Sequence, residues 1–302
     1  MTHDHDHDQD DGCAGGGKAA GGGFGGFLRS LLSGLPWHER AEANDTLRFA
    51  SPSGGAIRVD NANGCTVVIG EDRSDVEILV HKAARAGSEA EAAQLADAIR
   101  VLAREDAAGM LEVEVELPGR WTHRGRADLE IHAPRTVRVQ VSASNGRVCL
   151  SGMRAAVRLH SSNGPVRVED VVGDVEVHTS NARVHTQCTC GKLVARSSNG
   201  KIDLEEHRGS VDAATSNGTI HCEIEEIGKE GVVLVTSNGR ISLELPDEVD
   251  GDVDIRVDNG LIRALREFRQ AARERAGRLK GTLGRGGVPI RLRASNGTIS
   301  LR

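Results

Sequence analysis

One short motif recurs along this chain and constrains its fold more than any other feature. The dipeptide Asn-Gly, usually preceded by Ser or Thr, is repeated, and in one copy Ala replaces the Gly. Five successive copies are spaced 18 residues apart, from Asn145 to Asn217. The full set is Asn63, Asn145, Asn163, Asn181, Asn199, Asn217, Asn238, Asn259 and Asn296. Self-similarity at a fixed period indicates a repeat architecture, so each copy marks one structural unit.

Apolar and polar residues alternate on both sides of each Asn. Apolar side chains stand four and six residues before it and, in most copies, three and five residues after it. Around Asn199 these are Leu193, Ala195, Ile202 and Leu204. Alternation with a period of two is typical of strands, and Asn and Gly suit a tight turn. Each unit is therefore predicted to be a strand, a turn, a second strand and a second turn.

Two short strands cannot bury an apolar face alone, so the units are expected to stack. The predicted fold class is mainly all-β: a flattened, β-helix-like β-solenoid of about nine 18-residue coils, with neighbouring strands about 4.8 Å apart. Aromatic residues make up only 2% of the chain. Two facing rows of aliphatic side chains leave little room for rings, which fits this composition. The stacked Asn side chains are predicted to form an amide ladder along one edge.

The longer intervals place insertions at the edge opposite the Asn turns. The first insertion, near residues 70–135, is predicted to be a strand-helix-strand segment. Its helix, near Ser88–Arg104, begins with a capping box of Ser88 and Glu91 and carries an apolar stripe that continues to Leu102. The predicted strands are Val76–Lys82, Leu111–Leu117 and Ala127–Ala133.

The second insertion, residues 261–280, is predicted to be a basic amphipathic helix. Ile262, Leu265 and Phe268 would lie on its apolar side, and the opposite side would carry arginines that include Arg266, Arg269 and Arg273. Residues 261–302 hold eleven Arg and Lys residues against two Glu, a net charge of +9, whereas the whole chain carries −6. Such a helix either packs on the solenoid with a solvated basic face or contacts anionic lipid or an acidic partner.

The chain before the repeats divides into two predicted segments, and the repeat domain is assigned to residues 45–302. Residues 1–23 are a His/Asp- and Gly-rich leader whose composition predicts disorder. Residues 24–44 are predicted to be a short amphipathic segment that docks on a membrane surface or a protein, or folds back on the solenoid. Its apolar stripe is Phe24, Phe27, Leu28, Leu31, Leu32, Leu35 and Trp37.

No cofactor is expected, and the candidate metal ligands are weak. His3, His5 and His7 could chelate a transition metal as flexible His-rich tracts do. A second set, His185 with Cys188 and Cys190, lacks the paired spacing of a structural zinc site.

Several functional classes are not expected. The chain contains no P-loop, dinucleotide fingerprint or nucleophile elbow, so no catalytic residue is assigned. Flat faces without aromatic rings offer neither a cleft for paired carboxylates nor a platform for nucleic-acid bases. The N-terminus lacks the basic start and apolar stretch of a signal peptide, so a cytoplasmic location, extending to the periphery of the inner membrane, is expected.

The combined motifs resemble a known family. The opening coil Ile57–Gly64, the strand-helix-strand insertion and units such as Thr215–Ile220 and Thr236–Leu243 are similar to the toastrack, or putative adhesin, family of bacterial β-strand repeat proteins, over roughly residues 45–302. The resemblance implies a β-helix-like scaffold without established enzymatic activity. It also implies a link to envelope-stress assemblies, in which such proteins are proposed as assembly platforms.

The expected function is a non-enzymatic scaffold or interaction module that acts at the inner membrane surface. Its partners would be proteins of unknown identity and an anionic membrane surface, not nucleic acid. Two alternatives stay open. One is a bactofilin-like polymer that self-assembles through solenoid ends, for which the edge of the last strand, Ile299–Leu301, is expected to be free. The other is an exported adhesin.

Overall fold

Strands in steady succession account for most of the chain, as the repeat predicts. The computed structural model describes residues 39–117, 119, 124–275 and 277–302. This part of the chain contains one helix, α1 (Glu89–Ala98). The strands are β1 (Glu39–Ala50), β2 (Ala56–Asn63), β3 (Thr66–Glu71), β4 (Asp75–Ala86), β5 (Arg100–Glu105), β6 (Met110–Glu116), β7 (Gly125–Pro134), β8 (Arg138–Asn145), β9 (Val148–Ser151), β10 (Val157–Ser161), β11 (Val166–Val172), β12 (Val175–Thr179), β13 (Val184–Ser197), β14 (Ile202–Asn217), β15 (Ile220–Glu244), β16 (Gly251–Ala264), β17 (Gln270–Arg275), β18 (Arg278–Leu283) and β19 (Pro289–Leu301). The predicted all-β fold is confirmed.

Parallel strands form two long rows, one on each side of the Asn turns. The row before the turns, here called the pre-turn face, runs from β6 through β2, β8, β10 and β12 to later parts of β13, β14 and β15, and then to β19 and β16. The row after the turns, the post-turn face, begins at β7, β3, β9 and β11 and continues through early parts of β13, β14 and β15. It ends with the final parts of β15, β19 and β16. β13, β14 and β15 are long because each bends around a corner and contributes to both faces.

Burial alternates along each strand, as the pleat requires. In β10, Val157, Leu159 and Ser161 are buried, whereas Arg158 and His160 point outwards. Inward aliphatic side chains from both faces form one continuous core. Of the aromatic residues that the structure describes, Phe49 and Phe268 pack against the margin of this core as partly buried residues. Each fully buried Val, Leu or Ile stabilises the fold by roughly 1.5–3 kcal/mol, so the thin interior is held by many similar contributions.

The coils do not stack in chain order at either end of the solenoid. The first coil, β2 and β3, lies between the later strands β6 and β7 on one side and β8 and β9 on the other. The last strand, β19, lies between β15 and β16, which both precede it in sequence. The expectation that the edge at Ile299–Leu301 is free is therefore wrong. A later or earlier segment of the chain covers each terminal coil.

Antiparallel strands close most of the exposed edges. β5 pairs with β6, β4 pairs with β7 and β1 pairs with β4 at the first end. β18 pairs with β16, and β17 with β18, at the other end. Covering an edge in this way removes the template on which another chain could pair. Among the described strands, none pairs with the outer side of β16 at residues 261–264.

The prediction of a helix at residues 261–280 is wrong. This segment contains the end of β16, then β17 and β18, which form an antiparallel hairpin. Ile262 and Ala264 occupy the third and fifth positions after Asn259, and both pair with β19 as the repeat requires. The apolar residues of this segment have a helical spacing. Pairing of β16 with β19 and packing of Ile262 on the core nevertheless outweigh the local preference for a helix.

The first insertion follows the prediction more closely. β4, β6 and β7 contain the three expected strands. The Ser88 hydroxyl accepts a hydrogen bond from the backbone N–H of Glu91, as an N-cap does. The helix is shorter than predicted, however, because the chain leaves the helical conformation at Ile99 and enters β5. Leu102 therefore lies on an edge strand and is 39% exposed instead of extending the helical stripe.

Isoleucines occupy the same position in three repeats, and comparing them tests whether β19 lies between β15 and β16. Ile299 and Ile220 are fully buried, whereas Ile262 on the edge strand is only partly buried. Replacing Ile299 or Ile220 by Asn is expected to lower the free energy of unfolding by about 3–5 kcal/mol, because both substitutions bury an amide in the core. Ile262→Asn should cost clearly less. Urea unfolding of the three variants makes the comparison, and a milder effect at Ile299 than at Ile262 would contradict the placement of β19.

Candidate interaction surfaces

The nine repeated Asn residues form one continuous row of side-chain hydrogen bonds. Starting from Asn145, each amide nitrogen donates to the amide oxygen of the preceding Asn in the stack, and Asn63 accepts at the beginning of the row, with donor-acceptor distances between 2.8 Å and 3.1 Å. The spatial order follows the chain from Asn63 to Asn238 and then places Asn296 before Asn259. All of these amides lie at the surface, so each bond also has water as a competitor.

The Gly that follows eight of the nine Asn residues allows the turns to stack closely. A Cβ atom at Gly164 would lie 1.6 Å from the carbonyl oxygen of Gly146 in the preceding coil, and one at Gly297 would lie 1.7 Å from that of Gly239. A side chain at these positions would therefore push neighbouring coils apart. Close approach of two backbones, in addition to turn conformation, accounts for the repeated Gly.

Interior and terminal positions of the Asn row should differ in their contribution to stability. Asn199 donates to Asn181 and accepts from Asn217, whereas Asn259 only donates to Asn296. We expect Asn199→Ala to lower the free energy of unfolding by about 1–2 kcal/mol, and Asn259→Ala by about half as much. Thermal unfolding followed by circular dichroism measures both. Equal effects at the two positions would argue against cooperation along the row.

The arginines predicted to form one basic helical face are dispersed. Arg266 lies in a bend after β16, where its guanidinium donates to the carbonyl oxygen of Asp247 at 3.0 Å and to that of Leu245. Arg269 is exposed, and its backbone N–H donates to Thr282. Arg273 is a residue of β17. Arg266 therefore anchors the hairpin to a neighbouring loop instead of facing solvent freely.

Two exposed leucines mark the open edge of the post-turn face. Leu261 is 59% exposed and Leu265 is 76% exposed, the highest values among the large apolar residues of the described chain. Arg263 lies between them in β16 and is also exposed. We call these three residues, together with the exposed Arg269, the open end. Sequence reasoning placed Leu265 on a packed helical stripe and therefore missed this surface.

Other predicted docking residues lie outside the described part of the chain. These are Phe24, Phe27, Leu28, Leu31, Leu32, Leu35 and Trp37, and the metal candidates His3, His5 and His7 lie there too. Residues 39–44, which sequence analysis assigned to the docking segment, form the first half of β1. Within the described residues, no helix is long and apolar enough to cross a bilayer.

A groove of about 580 Å³ lies on the outer side of the pre-turn face. Two of its basic side chains are paired with carboxylates: Arg158 Nε lies 2.9 Å from Glu176 Oε2, and Lys192 pairs with Glu230 at 2.7 Å. A third, Arg138, donates to the carbonyl oxygen of Gly54 at 3.0 Å. Because most of these basic side chains already have partners, the groove is not assigned to a charged ligand.

The corner opposite the Asn row repeats a strained backbone conformation. Asp170, Cys188 and Glu206, spaced 18 residues apart, have φ values of 48°, 51° and 51°. The Cys188 thiol donates to Glu206 Oε2 at 2.7 Å, and this contact raises the pKa of Cys188 to about 11. Cys188 is thus a protonated thiol bound to a carboxylate. A protonated thiol of this kind is not an activated nucleophile.

His185, another member of that candidate set, has different neighbours. On the outer side of the post-turn face it lies with Asp203 and Glu205, and the ligating atoms of the three side chains are all within 4.8 Å of one another. The signal in the sequence was the interval of 18 between His185 and Asp203, which places the two side chains next to each other on neighbouring strands. Sequence analysis grouped His185 with Cys188 and Cys190 and did not connect it with Asp203.

A buried histidine occupies the inner side of the corner. His207 is 1% exposed, and its Nδ1 lies 2.9 Å from Thr189 Oγ1, while Nε2 has no hydrogen-bond partner. Loss of hydration lowers the pKa of His207 to about 4 from an ordinary value of 6.5. The imidazole is therefore neutral at physiological pH, and its role is to pack the corner.

The lowered pKa of His207 predicts a loss of stability in acid. Between pH 6.5 and about 4 the unfolded chain binds a proton at this residue and the folded chain does not, so stability falls as the pH drops through this range. The contribution is about 3 kcal/mol at most. His207→Val, which copies Val171 at the equivalent corner, should flatten this dependence. Unfolding free energies measured from pH 7 to pH 4 test it, and equal slopes for both proteins would contradict the assignment.

The perturbed groups do not assemble into a catalytic arrangement. The pKa values of three cysteines, Cys65, Cys188 and Cys222, are raised. An activated nucleophile would have a lowered pKa instead. His207 is enclosed in the core and cannot reach a substrate. Display of side chains on two rigid faces is the chemistry that this geometry supports.

Comparisons with known proteins agree with the repeat architecture. A family model described as Toastrack DUF4097 matches residues 56–302. No curated protein matches the chain in sequence.

Solved structures with some similarity come from bacteria. A putative adhesin from Bacteroides fragilis has 12% identity and a TM-score of 0.48, covering 86% of this chain and 97% of that one. A putative adhesin from Parabacteroides distasonis has 10% identity and a TM-score of 0.45, covering 87% and 97%. A putative lipid binding protein from the same species has 10% identity and a TM-score of 0.41, covering 86% and 96%. Values this low imply neither a shared partner nor a shared activity.

Proposed function

The chain belongs to the Toastrack DUF4097 family, and we propose that it is a non-enzymatic scaffold that docks on an anionic membrane surface through its open end. Docking on the cytoplasmic side of the inner membrane would leave the two faces of the solenoid free to hold protein partners. A role in envelope-stress assemblies is part of this proposal and is supported by family membership alone.

The observation that carries the proposal is the pairing of apolar exposure with positive charge at one end of the stack. Leu261 and Leu265 are the most exposed large apolar side chains described, and the exposed Arg263 and Arg269 are close to them in sequence, Arg263 between the two leucines and Arg269 four residues after Leu265. The C-terminal segment from residue 261 has a net charge of +9. Apolar side chains that enter the headgroup region, combined with basic residues worth about 1 kcal/mol each near anionic lipid, give reversible attachment.

The rigidity of the solenoid supports a scaffold more than a catalyst. Continuous parallel ladders link one coil to the next, so a contact made at the open end fixes the orientation of the whole stack. Outward charges such as those of Arg158 and Glu176 are paired across coils, which leaves less charge free for a small ligand. A face of paired outward charges suits a broad, weak protein contact better than capture of a small substrate.

Self-assembly is the second candidate, and one specific observation favours it. The outer side of β16 at residues 261–264 has no strand partner among the described strands, and unpaired backbone groups on an edge can template pairing with another copy. This would be a bactofilin-like polymer that uses β16 instead of the last strand. Lipid attachment is preferred because of the basic residues that flank the edge.

Co-sedimentation with vesicles tests the proposal on the full-length protein. We expect binding to phosphatidylglycerol-containing vesicles, little binding to phosphatidylcholine vesicles, and weakening at high salt because the charge contribution is screened. Leu261→Ser with Leu265→Ser, and separately Arg263→Glu with Arg269→Glu, should each reduce binding about tenfold or more. Leu102→Ser is the matched control, since Leu102 is an exposed leucine on the edge strand at the opposite end.

The outcomes separate the two candidates. Absence of binding to anionic vesicles, or equal loss in the Leu102→Ser control, would overturn membrane docking. Sedimentation velocity without vesicles is run on the same proteins. Concentration-dependent growth that is abolished by Leu261→Ser with Leu265→Ser would instead support assembly through β16.

A further inference from the structure

We propose that His185, Asp203 and Glu205 form a binding site for a divalent transition-metal ion, with Zn²⁺ as the favoured ion. The site would lie on the outer side of the post-turn face and would link two adjacent coils. This inference is independent of the membrane proposal, because the three residues lie on the outer side of a face and not at the open end.

The stacking register brings the three side chains together. His185 in β13 and Asp203 in β14 are direct partners on neighbouring parallel strands. Glu205 is two residues beyond Asp203, so its side chain points to the same outer side. The geometry is fixed by the backbone of two adjacent coils and not by a loop, which is the arrangement that best holds metal ligands in place.

Asp203 provides a second observation that points to a ligand. It lies on an outer side, yet it is only 6% exposed because neighbouring side chains cover it. Its Oδ1 atom is buried and has no hydrogen-bond partner. A buried carboxylate oxygen without a partner is unfavourable, and a bound cation would remove this cost.

The donor set suits a borderline transition metal. Imidazole nitrogen with two carboxylate oxygens is a set that binds Zn²⁺, whereas Ca²⁺ and Mg²⁺ prefer oxygen donors alone. Zn²⁺ holds such ligands at about 2.0–2.2 Å, so tetrahedral ligands stand about 3.5 Å apart. The ligating atoms here lie within 4.8 Å of one another. Side-chain rotations that move the ligating atoms by little more than about 1 Å would complete the ligand set and leave one coordination position for water.

A lysine competes with the metal for the same carboxylate. Lys201 Nζ lies 2.8 Å from Asp203 Oδ2, and a guanidinium nitrogen of Arg183 lies 3.9 Å from the same atom. The Lys201 side chain is 41% exposed, so it can move into solvent when an ion arrives. Metal and Lys201 would therefore exchange at Asp203, which makes the site a reversible one.

Isothermal titration with Zn²⁺ tests the site in the full-length chain carrying His3→Ala, His5→Ala and His7→Ala, because the leader histidines would bind metal independently. We expect one ion per chain in this background. His185→Gln, Asp203→Asn and Glu205→Gln should each weaken binding about tenfold or more. Lys201→Met should strengthen it, because the competing ammonium is removed. Circular dichroism verifies that each variant is folded.

His178→Gln is the matched control. His178 is an outward histidine that contacts a carboxylate, Glu176, at 2.9 Å on the opposite face, but it is not part of a three-ligand group. Binding should be unchanged in this variant. The proposal is overturned if the background protein binds no Zn²⁺, or if affinity survives in both His185→Gln and Glu205→Gln. Equal losses in His178→Gln and His185→Gln would also overturn it, because the binding would then be unspecific.

Discussion

Close, in-register stacking of one turn on the next is the constraint on which the rest of the structure depends. At Gly164 the backbone approaches the preceding coil so closely that an added Cβ would lie 1.6 Å from a carbonyl oxygen. The Asn beside each Gly donates to its neighbour in the stack. Once the turns are aligned, each residue lies beside the equivalent residue of the next repeat. The alignment of the Asn turns thus sets the strand register of both faces.

This register determines where chemistry can arise. Side chains 18 residues apart become neighbours, as seen for Cys188 with Glu206, Thr189 with His207, and His185 with Asp203. In the first pair the Glu206 carboxylate raises the pKa of Cys188, and in the second pair burial lowers the pKa of His207. The third pair lies on the outer side of the post-turn face with Glu205 beside it, and these three side chains bring one imidazole and two carboxylates together, so metal binding is proposed there.

The coils at the ends of the solenoid are covered differently from those in its middle. A coil in the middle has neighbours on both sides, whereas a terminal coil would expose apolar edges, and the fold covers each terminus with another part of the chain. Antiparallel strands then cover most of these margins. Among the described strands, the outer side of β16 at residues 261–264 has no partner, and this edge carries Leu261 and continues to Leu265, so a margin of the architecture also supplies the surface proposed for docking.

The sequence by itself determined the repeat unit, the alternation of buried and exposed residues and the alignment of the Asn residues, because each follows from local periodicity and turn chemistry. The strand-helix-strand insertion could also be predicted from the sequence, because Ser88 marks the N-cap of its helix. Only the tertiary structure decided that residues 261–283 extend the ladder and fold back as a hairpin, and that β19 inserts between β15 and β16. Both depend on which strand edge is available for pairing, a long-range property that local patterns do not encode. The neighbours of His185 became apparent for the same reason, once the coils were in register.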